Sequence, residues 1–253
     1  MKKNFINKRK KNIFNLNINI VILLIFFIVF FYIYINFYKL NNISINFIQK
    51  YSEKYNLILL NVKVTNLDYL NQREILEYFD QYRGKSIFLV PIKKIADEIG
   101  KIKWVKKLKI KSDYKNTLNI TILEEIPFGI YDNNNQKILF SHNLIILDIV
   151  DNKKTYSDLI TFYGENSIYN SKNLIINLDK NFQNTIDEAI FIENRRWNIK
   201  LNNLILLKLP EENIDEAINN YKKIYANFSN KDLKDIESID LRIKNRAIIK
   251  YKN

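Results

Sequence analysis

The chain has 253 residues, 47% of them apolar, and a formal net charge of +13. Six basic residues within positions 1–11 carry nearly half of this charge, and no nucleic-acid-binding motif accompanies the rest. Nucleic acid is therefore not an expected partner. Because cysteine is absent, disulfides, Cys-ligated metal sites and thiol chemistry are excluded. The six N-terminal basic residues are Lys2, Lys3, Lys8, Arg9, Lys10 and Lys11.

An apolar run without any charge follows this basic tail and extends over residues 20–38. A bilayer core requires about 20 such residues in a helix, so the run predicts a transmembrane helix at 18–38 after a cytoplasmic tail at 1–17. A cleaved signal peptide is disfavoured because its apolar region is shorter and ends in small residues, which 36–39 lack. A buried core helix is disfavoured because the run has no polar stripe.

The segment 39–56 is expected to continue the helix and to end in a linker before a domain at 57–125. Alternating apolar residues predict three strands in this domain. Apolar residues at helical spacing predict two helices, one that begins at a capping pair and one that begins at a proline. The resulting order is β-α-α-β-β. The supporting features are strands at 57–65, 104–111 and 117–123, the capping pair Asn71 and Glu74, Gly84 as a helix end, and Pro91.

A second domain is predicted at 126–253, with short strands, one long amphipathic helix at 211–228 and a final strand pair. The last two strands, 238–244 and 247–251, are expected to turn at Asn245 and Arg246. The predicted fold class is α+β: a single N-terminal transmembrane helix, the β-α-α-β-β domain, and a C-terminal mixed α/β domain with a largely antiparallel sheet. The other predicted strands are 130–131, 137–140, 144–147, 187–193 and 197–209, and 174–178 is a predicted helix.

Two short patterns resemble parts of catalytic or ligand-binding sites. Gly84, Lys85 and Ser86 match the end of a phosphate-binding loop, but Phe79 stands where that loop needs another glycine. His142 is the only histidine, and its position in a predicted turn favours a solvated loop residue over a general base. Neither pattern therefore predicts a nucleotide site or a catalytic site.

Glu124 and Glu125 are adjacent, so a strand directs their side chains to opposite faces and they cannot act together on one substrate. We expect them to flank the junction between the two domains. No catalytic residue, metal site or cofactor is predicted, and the chain is not expected to be an enzyme. The alternative considered is a membrane-anchored envelope protein with an enzymatic or translocation-assisting extracytoplasmic domain.

Five segments follow one another in a fixed order: 102–105 (IKWV), 159–164, 195–203 (RRWNIKLNN), 207–210 (LKLP) and 239–242 (IDLR). Their sequences and order resemble the motifs of the bacterial cell-division family FtsQ/DivIB. They cover nearly the whole chain, and Asn66 is a departure, since members often carry glycine there. Asparagine tolerates positive φ, so the turn is expected to survive. Segment 159–164 lacks the proline of the corresponding family motif.

The resemblance implies a POTRA-like domain at 57–125 and a non-enzymatic scaffold of the division machinery. It implies a single-pass protein of the inner membrane with its N-terminus inside, its bulk in the periplasm, and enrichment at the division septum. The implied partners are the membrane proteins FtsB and FtsL, with FtsK and FtsW/FtsI as further candidates, besides the lipid bilayer. No small-molecule substrate is implied.

In the family, partners bind the open edge of the last strand, where a partner strand is added by backbone hydrogen bonds. The residues that match this edge lie at 242–251. The basic pair Arg195 and Arg196 is a further candidate for partner binding, and one of the two is expected to contact the partner. Lysine and arginine on the edge also suit a strand that avoids self-association. The predicted partner-binding residues are Arg195, Arg196, Arg242, Ile243, Lys244, Ala247, Ile248, Ile249 and Tyr251.

Overall fold

The computed structural model describes residues 18–150 and 156–252, so the predicted basic tail lies outside the described residues. These residues form seven α-helices and twelve strands. The helices are α1 Ile18–Lys54, α2 Gln72–Asp80, α3 Ile92–Ile99, α4 Ser167–Ile176, α5 Lys180–Gln183, α6 Ile214–Tyr225 and α7 Asn230–Asp235. The strands are β1 Asn61–Thr65, β2 Val105–Ser112, β3 Thr117–Glu124, β4 Pro127–Asp132, β5 Lys137–Ser141, β6 Ile146–Val150, β7 Thr161–Tyr163, β8 Ile186–Ile192, β9 Arg196–Leu201, β10 Leu206–Lys208, β11 Ile236–Asp240 and β12 Ile248–Tyr251.

The first of two compact units contains the long helix α1 and the segments 56–62, 80–91 and 112–118. Within α1, residues Ile20–Lys39 have a mean hydropathy of 2.8, and none of them is buried by the described residues. This window is long and apolar enough to cross a membrane. The helix continues without a break to Lys54, so the expected helical continuation beyond the span is present.

The C-terminal end of α1 is held by polar contacts within this unit. The Gln49 side chain donates to the carbonyl of Gly84 (3.2 Å) and accepts from the N–H of Ser86 (2.8 Å). The hydroxyls of Ser52 and Ser86 lie 2.7 Å apart and are buried. Because a buried hydroxyl without a partner is costly, this pair fixes one face of α1 against the 84–86 turn.

The second unit contains 63–79, 92–111 and 119–252. The small sheet to which β1, β2 and β3 belong has the order β1-β3-β2. Asn66 has φ of 64°, so asparagine takes the left-handed conformation that the family pattern assigns to glycine. The buried side chains of α2 and α3 follow helical spacing, and those of β3 follow strand alternation. They are Ile75, Phe79, Ile95, Ile99, Leu118, Ile120 and Ile122.

The carboxylates of the two adjacent glutamates at the end of β3 bind different segments of the chain. The Glu124 carboxylate accepts the N–H groups of residues 68–70 at 2.7, 3.0 and 2.7 Å. Both oxygens of Glu125 accept from the Asn143 side chain at 3.0 Å. Glu124 thereby fixes the loop before α2, and Glu125 fixes the turn between β5 and β6.

The larger sheet has nine strands in the order β12-β11-β10-β9-β8-β7-β4-β5-β6. The pairs β4–β7, β7–β8 and β10–β11 are parallel, and the other five pairs are antiparallel. The confirmed fold class is therefore α+β with a mostly antiparallel C-terminal sheet. Neighbouring Leu139 and Phe140 belong to different clusters because side chains alternate between the faces of a strand.

Helices α4, α5 and α6 contribute to the main core cluster on one face of this sheet. The main cluster is formed by Phe140, Phe162, Leu174, Leu178, Phe182, Ile186, Ala189, Phe191, Trp197, Ile199, Leu201, Ile205, Leu207, Leu209, Ala217, Ile218, Tyr221, Ile236, Ile239 and Leu241. A second cluster consists of Ile130, Leu139 and Leu147, and Trp104 of the segment before β2 packs against it. Trp104 also stacks on Tyr69, with ring centroids 4.9 Å apart.

Several elements differ from the expectations. The first strand begins at Asn61 and not at residue 57, and the helix expected at 174–178 is α4, Ser167–Ile176. The extended segment 197–209 is two strands, β9 and β10, because the chain turns at 202–204, where Leu204 has φ of 70°. The helix expected at 211–228 begins only at Ile214, after Asn213 takes a left-handed conformation. The sequence pattern did not predict β7, α5 or α7, because three to six residues are too short to display a period.

Candidate partner-binding site

The strand β12 is the last strand of the nine-stranded sheet, so only one of its edges is paired. Its antiparallel partner is β11, with Ile249 opposite Ile239 and Ile248 opposite Asp240. Ile248 and Tyr251 are exposed, whereas Ile249 packs against the main core cluster. The predicted edge strand is therefore present, and no described residue pairs with its outer edge.

The direction of the peptide groups of β12 follows from one hydrogen bond at its end. The N–H of Lys252 donates to the carbonyl of Asp235 (2.7 Å), toward β11. Because peptide groups alternate in direction along a strand, Ile248 and Lys250 also face β11, while Ile249 and Tyr251 face away. The outer edge thus offers the N–H and C=O groups of Ile249 and Tyr251 to a further strand.

The chain before β12 forms a turn rather than the expected continuous strand 238–244. Strand β11 ends at Asp240, and the N–H of Arg246 donates to the carbonyl of Ile243 (3.1 Å). Leu241 is buried, but Ile243, two residues further along the chain, is 51% exposed, so the alternation expected for a strand over 238–244 does not reach residue 243. The period of a strand does not extend into a turn, and Asn245, with φ of 59°, reverses the chain.

Arg242 is held by a neighbouring carboxylate. Its Nε donates to the two oxygens of Asp240 at 2.8 and 3.0 Å, and its Nη2 also donates to Asp240. The hydrogen bonds from the Arg242 side chain and backbone hold the pKa of the Asp240 carboxyl below its usual range, against the opposing effect of burial. Among the described residues, none accepts a hydrogen bond from Nη1 of Arg242. That nitrogen remains available to a second acceptor.

The two candidate arginines at 195–196 have different surroundings. Arg195 lies in the β8–β9 turn, with Nε 3.6 Å from a carboxylate oxygen of Glu211 and Nη2 3.3 Å from Glu193. Arg196 is the first residue of β9, is more buried, and lies 3.8 Å from Glu193. Of these two arginines, only Arg195 therefore forms an ion pair with the segment before α6.

A groove of about 430 Å³ lies between the beginning of α6 and the 241–246 turn. One wall carries the acidic residues Glu211, Glu212 and Glu216, and the other carries Arg242, Lys244 and Arg246. Lys244 Nζ lies 3.3 Å from a carboxylate oxygen of Glu216, so one ion pair joins the two walls. The groove therefore presents both charge signs at the turn that leads into β12.

The strand register explains why residues so far apart in sequence meet here. Asn198, Lys208, Asp240 and Ile248 lie in one row across β9, β10, β11 and β12. The start of β9, the end of β10, the end of β11 and the start of β12 consequently share one end of the sheet. This arrangement brings Arg195 of the β8–β9 turn, which reaches Glu211, into the same region as Arg242 and Lys244.

The acidic wall of the groove was not predicted as part of the site. Its residues lie at the start of a helix, where acidic residues are common because they interact favourably with the helix dipole. A sequence gives no sign that such a helix start faces a turn about thirty residues later. Among the described residues, no group of three or more His, Cys, Asp or Glu side chains is arranged to hold a metal ion.

Comparison with known proteins gives matches over both folded regions. The profile of the FtsQ-type POTRA domain matches residues 59–125, and the profile of the C-terminal domain of cell division protein FtsQ/DivIB matches residues 130–242. The chain belongs to the FtsQ/DivIB family. The matches confirm the resemblance found in the sequence. Members of the family are non-enzymatic proteins of the division machinery, so membership also confirms the expectation that the chain is not an enzyme.

Individual relatives named cell division protein FtsQ support this membership. The protein of Rickettsia felis is 28% identical over 197 residues, which cover 76% of this chain and 71% of the relative. The protein of Rickettsia bellii is 29% identical over 198 residues, with the same coverage. The Agrobacterium fabrum protein is 24% identical over 192 residues, which cover 74% of this chain and 59% of the relative.

Proposed function

We propose that this FtsQ-family protein is a scaffold that links early and late division proteins by binding FtsB and FtsL with its extracytoplasmic domain. The observation that supports this most is the open edge of β12, where the peptide groups of Ile249 and Tyr251 face away from β11. A partner strand added there gains backbone hydrogen bonds, and neighbouring side chains select its sequence. FtsK, FtsW and FtsI are proposed as further partners.

The charges next to the edge suit a partner strand that carries an acidic residue. Arg242 uses Nε and Nη2 for Asp240 and can bind a partner carboxylate through Nη1 without breaking that pair. Arg195 and Lys244 add positive charge at the same end of the sheet. Arg195 is therefore the proposed contact of the basic pair, and Arg196 contributes less because it is more buried.

A backbone substitution tests the proposed edge directly. Tyr251→Pro removes an outward N–H without removing a core side chain, since Tyr251 is exposed, and Tyr251→Ala is the matched control for loss of the ring. Binding of the extracytoplasmic segments of FtsB and FtsL to the full chain in nanodiscs should weaken about tenfold or more for the proline variant, since lost interface hydrogen bonds leave buried groups unpaired. Ile249→Pro should act in the same direction.

The outcomes of this comparison are distinct. Equal binding by the wild-type chain and Tyr251→Pro would exclude strand addition at β12. Equal losses in Tyr251→Pro and Tyr251→Ala would assign the contact to the tyrosine ring instead of the backbone. Thermal melting of each variant shows whether the sheet itself has been lost.

We further propose that α1 anchors the protein in the inner membrane with its N-terminus in the cytoplasm and its bulk in the periplasm at the division septum. The proposed domain limits are 18–38 for the span, 57–125 for the POTRA-like domain and 126–253 for the C-terminal domain. Protease added to spheroplasts should degrade the chain after residue 40 and spare an N-terminal tag. A protected C-terminal domain would exclude this orientation, and a fluorescent fusion absent from midcell during constriction would exclude the septal location.

A further inference from the structure

The helix α1 carries an uncovered apolar stripe outside its membrane-spanning window. Ile43, Phe47 and Tyr51 follow one another at intervals of four residues and therefore lie on one side of the helix. Their exposed fractions are 57%, 59% and 48%, and the rings of Phe47 and Tyr51 are in contact at 4.3 Å. These three residues are called the outer stripe below.

The outer stripe faces away from the contacts that hold α1. Ser52, which pairs with Ser86, follows Ile43 by two and a half helical turns and so lies on the opposite side of the helix. Gln49, which binds the 84–86 turn, belongs to that same opposite side. One side of α1 is thus fixed to the first unit, while no described residue covers the outer stripe.

The bilayer that surrounds the span does not reach the whole outer stripe. The apolar window ends at Lys39. At the helical rise, Phe47 lies about 12 Å and Tyr51 about 18 Å beyond that residue. The headgroup region on each side of the hydrocarbon core is only about 5–8 Å thick. Lipid therefore does not reach Phe47 and Tyr51, which leaves both side chains open to another cover.

The charges beside the outer stripe indicate the chemistry of that cover. Lys50 and Lys54 follow Ile43 and Phe47 by seven residues each, so both flank the stripe on one side. Among the described residues, neither lysine has a carboxylate within ion-pair distance, and Lys54 lies over the ring of Tyr55. In a parallel pair of two copies, the lysines of one helix would face the other flank of the second helix, which carries Ile48 and Tyr55 and no acidic residue. A second copy therefore offers these lysines no carboxylate, which disfavours self-pairing.

We propose that the outer stripe docks a helix of another single-pass membrane protein, running parallel to α1. That helix continues outward from its own span, with apolar residues every three or four positions and Asp or Glu beside them. Membrane anchoring aligns the two helices and restricts them to the same plane, so a short stripe suffices for association. The proposal rests on the proposed anchoring by α1 but not on partner binding at β12.

Photo-cross-linking in intact membranes tests the docking. A photoreactive phenylalanine analogue replaces Phe47 in the full chain, and the same analogue at Asn46, an exposed residue outside the stripe, is the control. The expected adduct from position 47 contains a helical segment just outside the span of another membrane protein, with acidic residues beside the cross-linked position. The double variant Lys50→Glu, Lys54→Glu should lower its yield about tenfold, the effect of losing two favourable exposed ion pairs.

The other outcomes overturn the proposal. Adducts only with a second copy of the chain identify self-pairing, and adducts only with lipid place the stripe in the bilayer. Equal yields from positions 46 and 47 would show that the docking is not specific to the outer stripe. A yield that the charge reversal leaves unchanged would show that acidic residues of the partner do not contribute. Carbonate extraction of the same membranes reports on anchoring separately, and Tyr251→Pro should leave the cross-link intact, so failure at β12 is distinguishable from failure here.

Discussion

The adjacent glutamates at the end of β3 allow a stability prediction with an internal control. Glu124 is only 7% exposed and accepts three backbone N–H groups, two at Oε2 and one, from Leu70, at Oε1. In Glu124→Gln the amide oxygen can replace Oε2, but the NH2 group then faces the N–H of Leu70, donor against donor. One charge-assisted hydrogen bond is lost, the other two weaken, and a part-buried N–H remains unpaired.

The expected loss in the free energy of unfolding is about 2–4 kcal/mol, because hydrogen bonds to charged groups contribute about 1.5–3 kcal/mol and an unpaired buried donor adds a penalty. Glu125→Gln is the matched control. Glu125 is also buried, but among the described residues its carboxylate accepts hydrogen bonds from Asn143 alone, and a glutamine oxygen can still accept one of them. The control should therefore cost only about 1 kcal/mol.

Urea denaturation of the full chain in nanodiscs, followed by the fluorescence of Trp104 and Trp197, measures both variants under the same conditions. Hydrogen exchange at residues 68–70 then locates the change, and these amides should exchange faster in Glu124→Gln alone. Equal destabilisation by the two substitutions, or unchanged exchange at 68–70, would refute the assigned role of Glu124.

Three further predictions follow from single contacts. Arg242→Glu should lower FtsB binding about tenfold but leave thermal stability within about 1 kcal/mol, because its pair with Asp240 is partly exposed; a large loss of stability with intact binding would contradict this. Because the pKa of Asp240 is lowered in the folded protein, the ionised carboxylate stabilises the fold at pH values above the ordinary carboxyl pKa of 3.8. This contribution disappears as the pH falls through the lower pKa of the folded state. Asp240→Asn should therefore flatten the acid side of the profile of stability against pH, measured by urea denaturation. Gly164→Ala should destabilise the protein by about 2 kcal/mol or more, since φ is +95° and a Cβ would lie 2.3 Å from the carbonyl oxygen of Phe191; an unchanged melting temperature would contradict it.

The sequence was sufficient for the elements whose pattern is local and long. The alternation in β3 and the four-residue spacing in α2 and α3 predicted buried side chains that the structure confirms, including Leu118 and Ile75. The antiparallel pairing of the last two strands was predicted for the same reason, although the first of them ends at Asp240 and not at residue 244. Glu124 and Glu125 were expected to point in different directions, and their carboxylates bind different segments of the chain, although those partners were not predictable.

The remaining features depend on contacts between distant residues, which no period encodes. The strand predicted at 238–244 extends too far because alternation was continued past Asp240, where the chain already leaves the strand. The charged groove requires the start of α6 to face the 241–246 turn, and this follows from the parallel pairing of β10 with β11. The outer stripe was not predicted because which side of α1 is fixed depends on the distant Ser86.

The central proposal, strand addition at β12, is tested most directly by residue-resolved amide exchange with and without the FtsB segment. The N–H groups of Ile249 and Tyr251 face away from β11, so both should exchange quickly in the free protein and become protected when FtsB binds. Ile248 and Lys250, which face β11, should be protected in both states. Binding that leaves the amides of Ile249 and Tyr251 unprotected would show that the partner is held elsewhere.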